Sequence, residues 1–221
     1  MTASHQMKGP IQRLLAVAAD ATVLAVACFF MGCGRTGQPD HQEIRGLQDT
    51  PAPFRYATNI TMAKGDGYTV VDVKDPWKQG RTLHRYVLVS RDDSAGMKTL
   101  PEGTVVYTPV RRSVVFTTAH CQLLCWLGVG EAITGVCDKK YINIPFVQQH
   151  AEDCGDGMLP MTEKIVELNP QALLVSPFEN SGGFGPLEKT GIPIIETADY
   201  METSSLGRAE WMRFYGLLYG R

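Results

Sequence analysis

From Gly103 onward the chain alternates short β-branched apolar runs with stretches of helical periodicity, and few folds accept that order. The runs are Thr104 to Val110, Ser113 to Phe116, Ala132 to Val136, Ala172 to Val175 and Ile192 to Ile195. Strands separated by helical segments cannot pair as tight hairpins, so they lie parallel and are joined by crossover helices. Thr118 can cap one such helix, carrying Leu123, Leu124 and Leu127 and closed by Gly128. Thr162 can cap a second, carrying Ile165, Val166 and Leu168 and ended by Pro170, and a short third helix around Pro186 to Lys189 stops at Gly191. The fold class expected is α/β, an open and mostly parallel sheet with flanking helices.

Ahead of this series, Tyr68 to Val73 and Leu83 to Ser90 alternate apolar and polar residues around a turn containing Pro76 and Gly80, which predicts a leading β-hairpin. Residues 67–203 thus form one lobe. Residues 34–66 carry Gly, Pro, Gln and Asp without apolar periodicity and are expected to be a disordered tether. In residues 204–221, Trp211, Phe214, Tyr215 and Leu218 fall at i, i+3, i+4 and i+7, one apolar stripe of a helix. That stripe is expected to lack part of its partner surface and to make the chain self-associate.

With 221 residues the chain can build a proper core, and a net charge of −2 with interspersed signs gives no footprint for nucleic acid. Residues 1–33 read as an export signal: Lys8 and Arg13 supply charge, an apolar run extends from Ala21 to Met31, and Gly32-Cys33 follows. A small residue before a cysteine at that point resembles a lipobox with Cys33 as the lipidated residue, Cys28 being the competitor. A transmembrane anchor is the other reading, but the run falls short of the ~20 residues that span a bilayer. Export would place Cys121, Cys125, Cys137 and Cys154 in an oxidising compartment, and their spacing fits no standard zinc pattern. Burial or disulfide pairing is the ordinary reading, with Cys137 and Cys154 the expected pair.

In an open parallel sheet, ligands sit outside the carboxyl ends of the strands. That rule collects Thr117, Thr118 and His120 after one strand, Asp138 and Tyr141 after the next, Pro177, Phe178, Glu179 and Asn180 after "LLVS", and Asp199 and Tyr200 after "PIIE". His120 is a cleft contact or a capping, buried histidine; Tyr141 and Tyr200 stack on a ligand or pack half-buried. His120 beside Cys121 invites a metal- or thiol-dependent hydrolase, but neighbouring helical residues point about 100° apart. A metal site of His120, Cys121 and Cys125 fails likewise, since only the two cysteines share a face. No Lys-Ser/Thr follows Gly182 and Gly183, so no phosphate cradle is present. Glu163 lies in a first helical turn, where the dipole favours a carboxylate.

The order strand, Thr corner, helix ending in Leu-Gly, "AITGVCD", "TEKIVELNPQALLVSPF", "LEKTGIPIIE" resembles the N-terminal lobe of ABC-transporter solute-binding proteins for iron-siderophore, haem and cobalamin ligands. The likeness covers residues 104–221 and includes the beginning of the helix that spans the two lobes of that family; its C-terminal lobe has no counterpart in this sequence. The resemblance implies a binding protein rather than an enzyme, a metal chelate as ligand with no resident cofactor, and the rim above as half of a cleft. It also implies that Met158 lines that cleft, that Glu163 docks on an Arg of a membrane permease, and that the protein sits in the periplasm or cell envelope on a lipid anchor. A single-lobed binding module outside transport is the alternative.

Cys33 is therefore expected to take up palmitate in an exporting host, and Cys33→Ser to abolish the label; a mutant that still labels would move the site to Cys28.

Overall fold

The computed structural model describes residues 54–92, 99–179 and 183–221. The expected export signal, Cys33, Cys28 and residues 34–53 of the expected tether lie outside them. Residues 54–66, also assigned to that tether, are folded, with strand β1 at Ile60–Lys64. Its alternation, with Ile60 and Met62 buried and Thr61 exposed, was hidden by the polar and glycine residues around it.

β1 leads an antiparallel meander with β2 (Tyr68–Lys74) and β3 (Thr82–Ser90), the anticipated hairpin. β4 (Thr104–Thr108) pairs with β3 in parallel, so it belongs to this sheet and not to the parallel series in which its sequence had placed it. The second sheet contains β5 (Ser113–Val115), β6 (Ile133–Val136), β7 (Glu152–Asp153), β8 (Ala172–Val175) and β9 (Ile194–Glu196) in the order β7-β6-β5-β8-β9, every pair parallel. All residues of β5 and β8 are buried, as parallel strands covered on both faces require. The α/β class and its parallel sheet hold.

Helix α1 (Thr118–Trp126) follows β5, α2 (Pro145–His150) precedes β7, and α3 (Thr162–Glu167) precedes β8. Thr118 does not cap α1: Thr117 does, with extended φ −134° and ψ 144° and its hydroxyl accepting from the His120 amide at 3.3 Å. Nor does Thr162 cap α3, where Met161 holds the cap position without a side-chain bond. The third expected helix is a 3-10 segment, Gly185–Thr190, closed by Gly191 at φ 72°.

The last segment forms α4 (Ser205–Glu210) and α5 (Met212–Tyr219), interrupted at Trp211. Trp211, Phe214, Tyr215 and Leu218 are each 1% exposed or less, so the stripe expected to be sticky is instead the centre of the core. Its partner surface comes from both sheets: Met62, Val71, Tyr86 and Leu88 on one side, Val115, Val136, Leu174 and Ile195 on the other share one apolar cluster with it. Polar ties reinforce this arrangement. Tyr219 Oη donates to Ser113 Oγ at 2.9 Å, and the Val110 amide donates to the Leu218 carbonyl at 2.7 Å. His84, stacked on Tyr86 with ring centroids 4.6 Å apart, bridges the sheets through Glu196 Oε2 at 3.0 Å and pairs with Thr104 Oγ1 of its own sheet at 2.8 Å.

Two carboxylates hold the start of the folded chain. Glu210 accepts from the amides of Arg55 (2.8 Å), Tyr56 (2.5 Å) and Ala57 (2.7 Å), and Glu202 from those of Thr58 (2.9 Å) and Asn59 (2.8 Å). Buried Glu202 also takes the Thr58 hydroxyl at 2.9 Å and Trp211 Nε1 at 3.0 Å. Close approach requires Gly207, since a Cβ there would stand 3.0 Å from the Tyr56 carbonyl oxygen and 3.2 Å from Glu202 Oε2. Desolvation works to raise the Glu210 carboxyl, but the three amides, with Arg213 nearby, outweigh it and hold the group below its ordinary value. A carboxyl lowered on folding binds fewer protons in the native state, so its contribution is complete above about pH 4.5 and is lost as pH falls through the lower native value. Glu210→Gln should therefore flatten the acid limb of a stability profile measured by urea unfolding. Glu202→Ala, which strands buried donors, should cost about 3 kcal/mol or more at neutral pH.

Candidate functional site

The chain turns from β5 directly into α1. The Phe116 amide still pairs with the Leu174 carbonyl at 3.0 Å, and Thr117 then caps α1, so both side chains stand at the carboxyl edge of the sheet. After β6, Asp138 adopts a left-handed conformation (φ 53°, ψ 37°), one an Asp tolerates better than most residues. Its Oδ2 accepts from the Gly157 amide at 3.1 Å, and a Cβ at Gly157 would lie 2.9 Å from that oxygen and push the carboxylate aside. This bond ties the loop carrying Met158 and Leu159 to the end of β6. The segment after β8 adds Ser176 and Phe178, and Phe184 to Leu187 close the far side.

Together these residues enclose a cavity of about 620 Å³ at the carboxyl ends of β5, β6 and β8. Phe116, Met158, Leu159, Phe178 and Phe184 make its walls predominantly apolar, and Thr117, Asp138, Thr162 and Ser176 supply the polar points. Met158 and Leu159 are 71% and 82% exposed, an apolar rim open to solvent. A second concavity of about 600 Å³ is lined by Thr82 to Arg85 and Glu102 to Thr104 of the meander sheet and shares no lining residue with the first.

His120 is turned away from the cavity. It is buried, and its ring is tilted against Tyr215 with centroids 5.7 Å apart. Thr197 Oγ1 donates to the Val175 carbonyl at 3.1 Å, so at 2.9 Å it can only accept from His120 Nε2. Nδ1 is then the acceptor and takes the Thr117 hydroxyl proton at 2.8 Å. Asp199 Oδ1, 3.4 Å from Nε2, is a longer second acceptor. This network assigns the proton to Nε2 and makes His120 a buried brace between the sheet edge and α5, outside the cavity lining. It also commits the Thr117 hydroxyl proton inward.

Of the sequence-designated contacts, Thr117, Met158 and Phe178 line the cavity. Thr118 is exposed in the first turn of α1, and Glu179 is exposed beyond Phe178. Tyr141, 67% exposed with Lys140 Nζ 4.8 Å over its ring, and Tyr200, whose hydroxyl donates to the Pro177 carbonyl, lie outside the lining. Asn180 is outside the described residues. Glu163 is exposed in the first turn of α3, away from the lining. Sequence reasoning missed Phe116, Leu159 and Phe184; the consecutive apolar residues Met158-Leu159-Pro160 in a glycine-flanked loop were the available signal.

Cys121 is fully buried and desolvation pushes its thiol up to about 12, which withholds the thiolate a hydrolase would need. The expected Cys137–Cys154 disulfide is not formed; Cys121, Cys125, Cys137 and Cys154 are all free thiols. Cys137 and Cys154 share a small apolar cluster with Val114, Ile165, Leu173 and Leu187, where they serve as apolar filling. Among the described residues no group of three or more His, Cys, Asp or Glu side chains could hold a metal ion.

No family model matches the sequence. An uncharacterized lipoprotein of Methanocaldococcus jannaschii is 25% identical over 167 residues, with 66% of this chain and 40% of that protein covered. Among solved structures, the petrobactin-binding protein of Bacillus subtilis is 22% identical with a TM-score of 0.43, covering 52% of this chain and 40% of that one. The triscatecholate siderophore binding protein of the same organism is 20% identical with a TM-score of 0.41, covering 56% and 43%. The chain spans about two fifths of the length of these proteins.

Under native conditions, mass mapping after thiol alkylation at pH 8 should label the half-exposed Cys125 well ahead of Cys121, Cys137 and Cys154, which should react only on unfolding. Early modification of Cys121 would reopen the thiol chemistry, and a Cys137–Cys154 disulfide in the native protein would contradict the free pair.

Proposed function

We propose that this chain is a lobe of an exported, lipid-anchored solute-binding protein that captures a metal chelate in the cleft at the carboxyl ends of β5, β6 and β8 and delivers it to an ABC permease. The observation that carries this reading is the cavity itself. Its volume, about 620 Å³, lies within the range of small-molecule sites, and its apolar walls with few fixed polar points suit a large, partly apolar ligand held without bond chemistry. Phe116, Met158, Phe178 and Phe184 bury the ligand's apolar face, and Thr117 contributes a hydroxyl whose orientation His120 fixes. Thr118, Tyr141, Glu179, Asn180 and Tyr200 belong to the surrounding edge, where they meet a ligand that extends past the cavity or a second lobe closing on it. Cell-envelope location and anchoring through Cys33 rest on the order of charge, apolar run and Gly32-Cys33 in the sequence.

Titration of the purified chain with haemin, cyanocobalamin and ferric siderophores, followed by quenching of intrinsic fluorescence, tests the reading. Saturable binding of one of them, weakened about tenfold or more by Phe178→Ala through loss of buried ring area, is the expected result. Failure to bind any of them would count against it.

Exposed Glu163 separates transport from binding alone. As a docking residue, Glu163→Arg should leave chelate affinity unchanged and abolish uptake in cells that depend on this protein, because charge reversal opposite a permease Arg costs several kcal/mol, on the order of 2–5. Normal uptake would reduce Glu163 to a helix-dipole charge worth roughly 0.3 to 1 kcal/mol of stability.

A further inference from the structure

Within that solute-binding reading, we propose that the ligand this cleft accepts carries no net negative charge and presents hydrogen-bond donors beside an apolar face. It is a neutral or cationic amide- or amine-bearing chelate, not a polyanionic catecholate or a dicarboxylate macrocycle. Two independent features of the cavity lead there.

The first is its charge. Asp138 is the one ionisable side chain of the described lining, which contains no Lys, Arg or His. The exposed flanks carry both signs, with Asp156 before Gly157, Glu179 after Phe178 and Glu188 accepting from the Phe184 amide at 2.6 Å, against Lys140 and Lys189, so the net sign of the site is set by the lining itself. Asp138 is a constructed feature of the site. Its amide donates to the Gly155 carbonyl at 2.7 Å, its Oδ2 is met by the Gly157 amide, and its backbone is held left-handed. Among the described residues no hydrogen bond occupies Oδ1. A multiply charged anion beside this carboxylate, between walls of low polarity that screen little, meets repulsion with no neutralising partner.

The second is hydrogen-bond polarity. The Thr117 hydroxyl gives its proton to His120 Nδ1 and accepts one amide, so toward the cavity it can only accept. Thr117 and Asp138 therefore present acceptors that call for donors on the ligand, while the Thr162 and Ser176 hydroxyls can donate or accept; a ligand edged only with carboxylates or phenolates would leave the first two unpaired.

The test uses four probes on the purified chain: cobinamide (cationic, edged with amides), cyanocobalamin (no net charge), haemin (two carboxylates) and ferric enterobactin (trianionic), each titrated at low and high salt. The expected result is that a corrinoid binds at least about tenfold more tightly than either anionic probe. Met158→Lys, a change at an exposed position of the rim, should shift that ratio toward the anions by about tenfold, and Asp138→Asn should narrow it in the same direction. Tighter or equal binding of the anions to the unmodified chain would overturn the charge assignment and leave the solute-binding reading standing. Absence of binding by all four would overturn both.

Discussion

Burial of the aromatic stripe on α5 is the interaction on which the rest of the structure depends. An antiparallel meander and a parallel sheet share no strand pairing with each other, and each presents an apolar face that needs cover. Trp211, Phe214, Tyr215 and Leu218 join these faces into one apolar cluster. Fully burying each such side chain contributes about 1.5–3 kcal/mol, so the stripe outweighs any single polar tie in the molecule. The carboxylates of Glu202, just ahead of α4, and Glu210, at its end, reach residues 55–59, so that this segment organises chain more than 140 residues away in sequence.

The corner of the cavity is tied to that helix. Tyr215 packs against His120, His120 holds the Thr117 hydroxyl, and Thr117 caps α1 at the corner where the cavity begins. Among the described residues, the buried Tyr215 hydroxyl near Thr197 and Asp199 has no hydrogen bond of good geometry, a cost of about 1–3 kcal/mol that the surrounding core sustains. Hydrogen bonds from Thr117 to His120 and ring packing of His120 on Tyr215 thus connect the carboxyl edge of the parallel sheet to the principal packing helix.

Much of this was legible in local sequence. The β-branched runs gave the parallel strands because both faces of such strands are covered and period-2 alternation disappears. The hairpin showed by the opposite sign, alternation around a turn. What failed depended on partners distant in sequence. The α5 stripe read as half-uncovered because its second partner is the meander, contributed by residues before 90. Thr118 and Thr117 are chemically alike, and only backbone conformation decides which one caps. His120 sits at the edge by sequence but faces inward because Thr197 and Asp199, nearly eighty residues later, complete its bonds. Cys137 and Cys154 flank one crossover, yet flanking fixes neither side-chain direction nor bonding.

The central claim is that small-molecule binding belongs to the carboxyl edge of β5, β6 and β8, and its most direct measurement is backbone amide shift mapping by NMR on addition of a bound chelate. The account predicts changes concentrated at residues 116–118, 157–162, 176–179 and 183–187, with a weaker echo along α5 through His120 and Tyr215. Changes centred instead on residues 82–85 and 102–104, at the concavity of the meander sheet, would contradict it.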